Sequence, residues 1–99
     1  MVYTLSQIKA ISMPIFKSSG VVKAILFGSY AKGVATEDSD IDICIDSQGK
    51  LKGLDFIGLS EDIRKELQKE VDLIDITHID NNSKVEQEIK NTGVIIYEV

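Results

Sequence analysis

One cysteine, one proline and one histidine occur in 99 residues, and each scarcity closes off a class of chemistry. A single thiol, Cys44, cannot form an internal disulfide, which suits a reducing compartment. A lone His78, with no nearby cysteine or nucleophilic serine, provides neither a metal cluster nor a catalytic triad. Positive charge is also short. Eleven Lys and Arg stand against 16 Asp and Glu, a net charge of −5. That balance lacks the basic footprint of a nucleic-acid binder, so direct nucleic-acid binding is not expected, and it favours a basic protein partner. No apolar run approaches membrane-spanning length, no basic-then-apolar leader opens the chain, and repeats and Pro- or Ser-rich linkers are lacking. The expectation is a cytoplasmic protein, not a membrane one, with residues 1–99 forming one domain and no room for a separate substrate domain.

What is present alternates between helical and strand periodicity. Thr4 with Gln7 has the spacing of a capping box, and Leu5, Ile8, Ile11 and Ile15 recur at helical intervals. A helix is expected over 4–18, kinked or divided at Pro14 and ended by Gly20. Residues 21–27 are β-rich and nearly all apolar, which predicts a strand buried on both faces. Residues 29–32 read as one helical turn stopped by Gly33, and 39–46 as a second strand. A surface loop is expected over 47–53. Phe56, Leu59, Ile63 and Leu67 mark a helix over 55–69 whose charged face is solvated. Residues 71–77 read as a third strand. Ser83 with Glu86 repeats the capping-box spacing and predicts a helix over 83–92 ending at Gly93. Residues 94–99 form a last strand, an apolar edge able to pair with a second copy of the chain. Helices packed on a small mixed sheet make an α/β (α+β) domain.

One stretch carries chemistry. Apolar residues 24–27 lead into Gly28-Ser29; ten residues later Asp40-x-Asp42 enters the next apolar strand. Gly28 permits a tight turn and close approach to a ligand. Ser29 is placed to cap the following turn, where a helix start attracts anions. Asp40 and Asp42, two apart on a strand, share a face and repel unless a cation lies between them. Mg²⁺, which takes few carboxylates and keeps waters and phosphate oxygens, suits this arrangement. A two-metal site calls for a third carboxylate. Asp72 and Asp75 are candidates, but three positions apart they face opposite sides of the sheet, so only one can join. Lys32 offers a triphosphate contact or is merely solvated. Tyr30 reads as packing, Cys44 as a small buried hydrophobe, His78 as a polar strand end and Asp46 as a strand-end carboxylate.

Gly28-Ser29 followed after ten residues by Asp40-x-Asp42 resembles the signature of the polymerase-β-like nucleotidyltransferase superfamily. The strings G-S-Y-A-K-G and S-D-I-D resemble its minimal nucleotidyltransferases (MNT), often antitoxins of HEPN ribonuclease toxins. The resemblance implies the nucleotidyltransferase fold and selects Asp72, in Val71-Asp72-Leu73, as third acid. It implies that Asp40, Asp42 and Asp72 are catalytic and hold two Mg²⁺ ions, while Gly28, Ser29 and Lys32 bind the nucleotide. Lys32 stands where members usually carry arginine. ATP is the implied substrate, and AMP transfer to a tyrosine hydroxyl of a HEPN toxin the implied reaction. Two other functions fit the same resemblance: an antitoxin that acts by binding alone, and transfer to a small molecule with a partner subunit.

Overall fold

A capping box starts the chain's first element. The Thr4 amide donates to Gln7 Oε1 (2.8 Å) and the Gln7 amide to Thr4 Oγ1 (3.1 Å), so two of the orphan donors of the helix start are satisfied reciprocally. In the computed structural model, which describes residues 1–99, helix α1 then runs over Leu5–Ser19 and ends at Gly20 in the left-handed conformation (φ +87°). It is one continuous helix rather than two. Pro14 and Ala10, whose carbonyl loses its donor to the proline, are both exposed, so water can serve the freed oxygen. The buried face is Ile8, Ser12 and Phe16, with Ile11 and Ile15 half-buried and Leu5 exposed. Ser12 enters the core at no loss of a hydrogen bond, because Oγ donates to the Ile8 carbonyl (2.6 Å).

The remaining elements are β1 (Lys23–Phe27), α2 (Gly28–Lys32), β2 (Ile41–Asp46), α3 (Leu54–Leu67), β3 (Val71–Asp75), a 3₁₀ turn (Ile76–His78), α4 (Lys84–Thr92) and β4 (Val94–Glu98). They form a four-stranded sheet in the order β3-β2-β1-β4. β1 is antiparallel to both neighbours, and β2 is parallel to β3. A parallel pair needs a crossover, and α3 supplies it.

The two faces of the sheet are covered unequally. Ala24, Leu26, Ile41, Ile43, Ile45, Val71 and Leu73 join Ile8 and Phe16 of α1 and Leu59, Ile63 and Leu67 of α3 in one core. The opposite face receives only α2 and α4, and α4 contributes no fully buried residue. On this side β1 is closed only at its end: Phe27 is buried, but Lys23 and Ile25, pointing at α4, stay half-exposed, so the two-sided burial its apolar run implies is met only in part. Beneath α4 this leaves a hollow of about 490 Å³ lined by Ile25, Ile76, Ile79, Ile89 and Ile95 among others.

β3 stops two residues earlier than its pattern suggests, and Asp75 is the reason. Its carboxylate accepts from the Thr77 amide (3.0 Å), Thr77 Oγ1 (2.8 Å) and Ser47 Oγ (3.1 Å), which bends the chain into the 3₁₀ turn. Ser47, expected on a surface loop, is fully buried by this bond and accepts from the Leu51 amide. Gly93 also differs from its expected role. Its φ is −64°, so it is no left-handed cap. A Cβ there would overlap the Ile89 carbonyl oxygen and press on Ile25, so glycine is required by space. Ser83 caps α4 by accepting from the Glu86 amide, but the Glu86 carboxylate returns to the Asn82 amide rather than to Ser83.

Burial alone would raise the Asp75 carboxyl, but the hydrogen bonds from Thr77 and Ser47, with His78 nearby, hold it below the ordinary carboxylate range. A group with a depressed folded pKa contributes stability that is present above its unfolded pKa and lost as pH falls through the folded one. Asp75→Asn is expected to cost about 1–2 kcal/mol at neutral pH. In urea unfolding followed from pH 7 down to pH 2, the gap between variant and parent should narrow as Asp75 protonates; a constant gap would show that its charge contributes nothing.

Candidate active site

β1 ends at Phe27, which pairs directly with Asp42 of β2. The next residue, Gly28, turns the chain with φ +74°, and a Cβ on it would overlap Asp42 Oδ2. The glycine thus does two things at once: it adopts a left-handed conformation, and it lets a carboxylate lie against the backbone. On the other side of β2, Asp42 is in register with Asp72 of parallel β3. Residues in register on neighbouring strands share a face, so these two carboxylates stand side by side. Asp75 is in register with Ile45 on the core face, is only 7% exposed, and takes no part in this cluster.

Asp40 lies just outside the strand rather than in it. The ladder opens at Ile41, whose amide donates to the Glu70 carbonyl (3.0 Å), and Asp40 and Asp72 are exposed while Asp42 is half-buried. Burial first, then the charges of Asp72, Asp40 and Glu88, push the Asp42 carboxyl from 3.8 up to about 6. None of Asp40, Asp42 and Asp72 is among the chain's ion pairs with lysine or arginine. The donor set is all carboxylate oxygen, is starved of positive charge, and suits a hard divalent cation. It is not a closed cage: no three acidic, histidine or cysteine side chains converge as ready metal ligands. A cation here would complete its coordination from water or a bound phosphate, as Mg²⁺ commonly does.

α2 begins immediately beside these acids. Its N-cap is Phe27, with no side-chain cap bond; Ser29 is the second residue of the helix and so is not the cap its sequence position suggests. Gly33 closes α2 in the left-handed conformation (φ +76°). Lys32, the last residue of α2, pairs with Glu88 of α4 at 3.4 Å. Glu88 is the site residue that sequence reasoning missed. The spacing of α4 predicts an amphipathic helix, but only the sheet order tells which flank of it meets α2.

Other candidates fall away. Tyr30 is 4% exposed and belongs to the core, with its hydroxyl buried and unpartnered. Burial, with Asp75 and Asp46, pushes the Cys44 thiol up to about 11, so it stays protonated and inert. His78 lies exposed in the 3₁₀ turn, and Asp46 accepts from the Gln48 amide in a turn. None of the three principal hollows of the surface includes Asp40, Asp42 or Asp72. Asp40 and Asp72 are exposed and Asp42 is half-buried, so the carboxylates are open to solvent.

Comparison with known proteins adds three findings. The sequence profile of the family described as "Polymerase beta, Nucleotidyltransferase" matches residues 9–99. A Methanocaldococcus jannaschii protein, provisionally named a protein adenylyltransferase, is 37% identical over 70 residues, covering 71% of this chain and 75% of that protein. Two solved structures share the fold. A chain of a toxin–antitoxin crystal structure with AMP-PNP superposes with a TM-score of 0.77 at 23% identity, covering 92% of this chain and 73% of that one. A chain from the tri-AMPylated Shewanella oneidensis HEPN toxin in complex with MNT antitoxin gives 0.72 at 20% identity, covering 97% and 74%.

Gly28→Ala is expected to destabilise the protein by about 1–3 kcal/mol, through strain at a left-handed residue and the overlap with Asp42. Part of that cost should disappear in an Asp42→Ala background, where the overlapping carboxylate is gone. Urea unfolding of the four proteins tests this; an equal cost in both backgrounds would place the strain elsewhere.

Proposed function

The chain belongs to the polymerase-β nucleotidyltransferase family, and from that premise we propose that it is a Mg²⁺-dependent protein adenylyltransferase that moves AMP from ATP to a tyrosine hydroxyl of a HEPN-type toxin. The observation that carries the reading is the register of Asp42 beside Asp72, with the Gly28-Ser29 turn folded against Asp42. Residues 1–99 act as one minimal nucleotidyltransferase domain. No helix is long and apolar enough to cross a membrane, and a cytoplasmic setting suits a chain whose one cysteine is free.

Asp40, Asp42 and Asp72 are the residues that would hold two Mg²⁺ ions, which when bound would neutralise phosphate charge. The Gly28 backbone and the Ser29 amide and hydroxyl receive the β- and γ-phosphates, where the first turn of α2 leaves amides without intrahelical partners. Lys32 meets the triphosphate as a point charge rather than a bidentate fork. The tyrosine oxygen attacks the α-phosphorus as the bond to the β-phosphate oxygen breaks, and pyrophosphate leaves with that electron pair. Asp72, exposed at the edge strand, accepts the hydroxyl proton.

A protein acceptor fits the shape of the site. Asp40 and Asp72 are exposed, so a partner's surface can approach them and deliver a hydroxyl. The M. jannaschii relative is named for protein adenylylation, and the Shewanella complex joins an AMPylated HEPN toxin to an MNT antitoxin; both are consistent with this assignment.

Labelled ATP, Mg²⁺ and a HEPN-type toxin give the test. Transfer of label to the toxin is expected with the parent protein and should fall at least 100-fold in Asp42→Ala and Asp72→Ala. Neutralisation of the toxin by the parent protein without any label transfer would replace the enzyme with an antitoxin that acts by binding.

A further inference from the structure

β3 is a border of the sheet, and its outer side is unpaired. The Ile41 amide donates to the Glu70 carbonyl (3.0 Å). In a parallel ladder that phase turns the backbone groups of Asp72 and Ile74 toward β2 and those of Val71, Leu73 and Asp75 outward. The Val71 carbonyl accepts from Arg64 Nη2 (3.4 Å). The Leu73 amide and carbonyl are left free to pair with another strand. No bulge, proline or lysine interrupts Val71–Asp75. β4, the other border, is less suited. Its ladder slips between Ala24 and Ile25, and it lies at the opposite margin of the sheet from Asp72.

The two faces of the β3 border differ. Asp72 stands exposed on the site face, in register with Asp42. On the other face, Leu51, Phe56, Ile57 and Leu73 line a hollow of about 590 Å³. Ile57 is 55% exposed there, an apolar side chain left open to solvent. Lys52 and His78 line the hollow too, and neither takes part in an ion pair. Asp75 borders it, but its carboxylate is already engaged by Thr77 and Ser47. Apolar walls and an unneutralised ammonium group therefore lie next to a free strand edge, with a site carboxylate on the edge's other face.

We propose that the protein acceptor docks by laying an extended segment along β3, its tyrosine beside Asp72, an apolar residue one or three positions away in the hollow, and an acidic residue against Lys52. This rests on the nucleotidyl-transfer reading and adds to it how the protein substrate is held. Alternation along a strand makes the two contacts compatible: a segment whose tyrosine shares the face of Asp72 sends its next residue to the face of Leu73. Main-chain pairing at Leu73 supplies affinity without regard to sequence, and the hollow supplies selection.

The experiment takes a HEPN-type toxin as acceptor, with labelled ATP and Mg²⁺, and compares the parent protein with Ile57→Glu and Lys52→Glu. Both residues line the hollow, and neither belongs to the metal or nucleotide site. The KM for the toxin should rise about tenfold in Ile57→Glu, the scale of one lost apolar contact, and by a smaller factor in Lys52→Glu. The kcat, the melting temperature and the affinity for Mg²⁺–AMP-PNP should stay at the parent values. Amide hydrogen exchange read by NMR should show the Leu73 amide slowing at least tenfold when the toxin binds. An unchanged acceptor KM in both variants, or a Leu73 amide that exchanges as fast in the complex as alone, would overturn the proposal. Slowing at Leu73 with rising protein concentration and no toxin would give the edge to a second copy of the chain and overturn it as well. A parent protein that transfers no label while its Leu73 amide still slows on toxin binding would leave the docking edge standing and remove the nucleotidyl-transfer reading.

Discussion

Asp42 is held in place by backbone pairing on both sides, and most of the site follows from that. The ladder to β1 sets it against Phe27 and the Gly28 turn; the ladder to β3 sets it against Asp72. Two acids on adjacent strands repel, and neither finds a lysine or arginine. The sheet can hold them together because its other face is sealed: Ile41, Ile43 and Ile45, alternating with the acids, are fully buried among α1 and α3. Apolar burial on one side of β2 thus offsets electrostatic cost on the other. A multivalent cation between them is what would relieve such repulsion.

The unequal covering of the sheet has the same logic. The α1/α3 face is built for stability, with bulky aliphatic side chains in continuous contact. The α2/α4 face is built for access: a five-residue helix, a loosely seated nine-residue helix, and carboxylates between them. In the proposed reaction, the place of Asp42 and Asp72 on the thinly covered side would let a large acceptor approach without opening the core. The buried Asp75 clip reinforces this division, since it orders the chain after β3 from the core side while Asp72, three residues before it, stays free on the other.

Much of this was legible in the residues, for identifiable reasons. Helix α1 announces itself through Thr4, Gln7 and Gly20, and α3 through the Phe56–Leu67 stripe, because local chemistry fixes both. The alternation of Asp and Ile over 40–43 reveals a strand that starts with acids on one face. Parity along a strand says that only one of Asp72 and Asp75 can share the face of Asp42 but not which; the family resemblance picks Asp72, and the β2–β3 register places it beside Asp42. What escaped was set by distant contacts. Ser47 reads as a loop residue until Asp75 is seen to bury it. Ser29 reads as a cap until Phe27 is seen to fill that position. Gly93 reads as a left-handed stop, whereas the real constraint is the Ile89 carbonyl and Ile25 beside it. Glu88 carries no signal of its own, since a glutamate on a short amphipathic helix is ordinary until the sheet order brings that helix over α2.

Gly93 alone separates α4 from β4, and it is packed too tightly to act as a swivel. Any side chain at this single-residue joint would have to push the helix away from the sheet, so the seam between α4 and the rim strand tolerates no residue larger than glycine without shifting both.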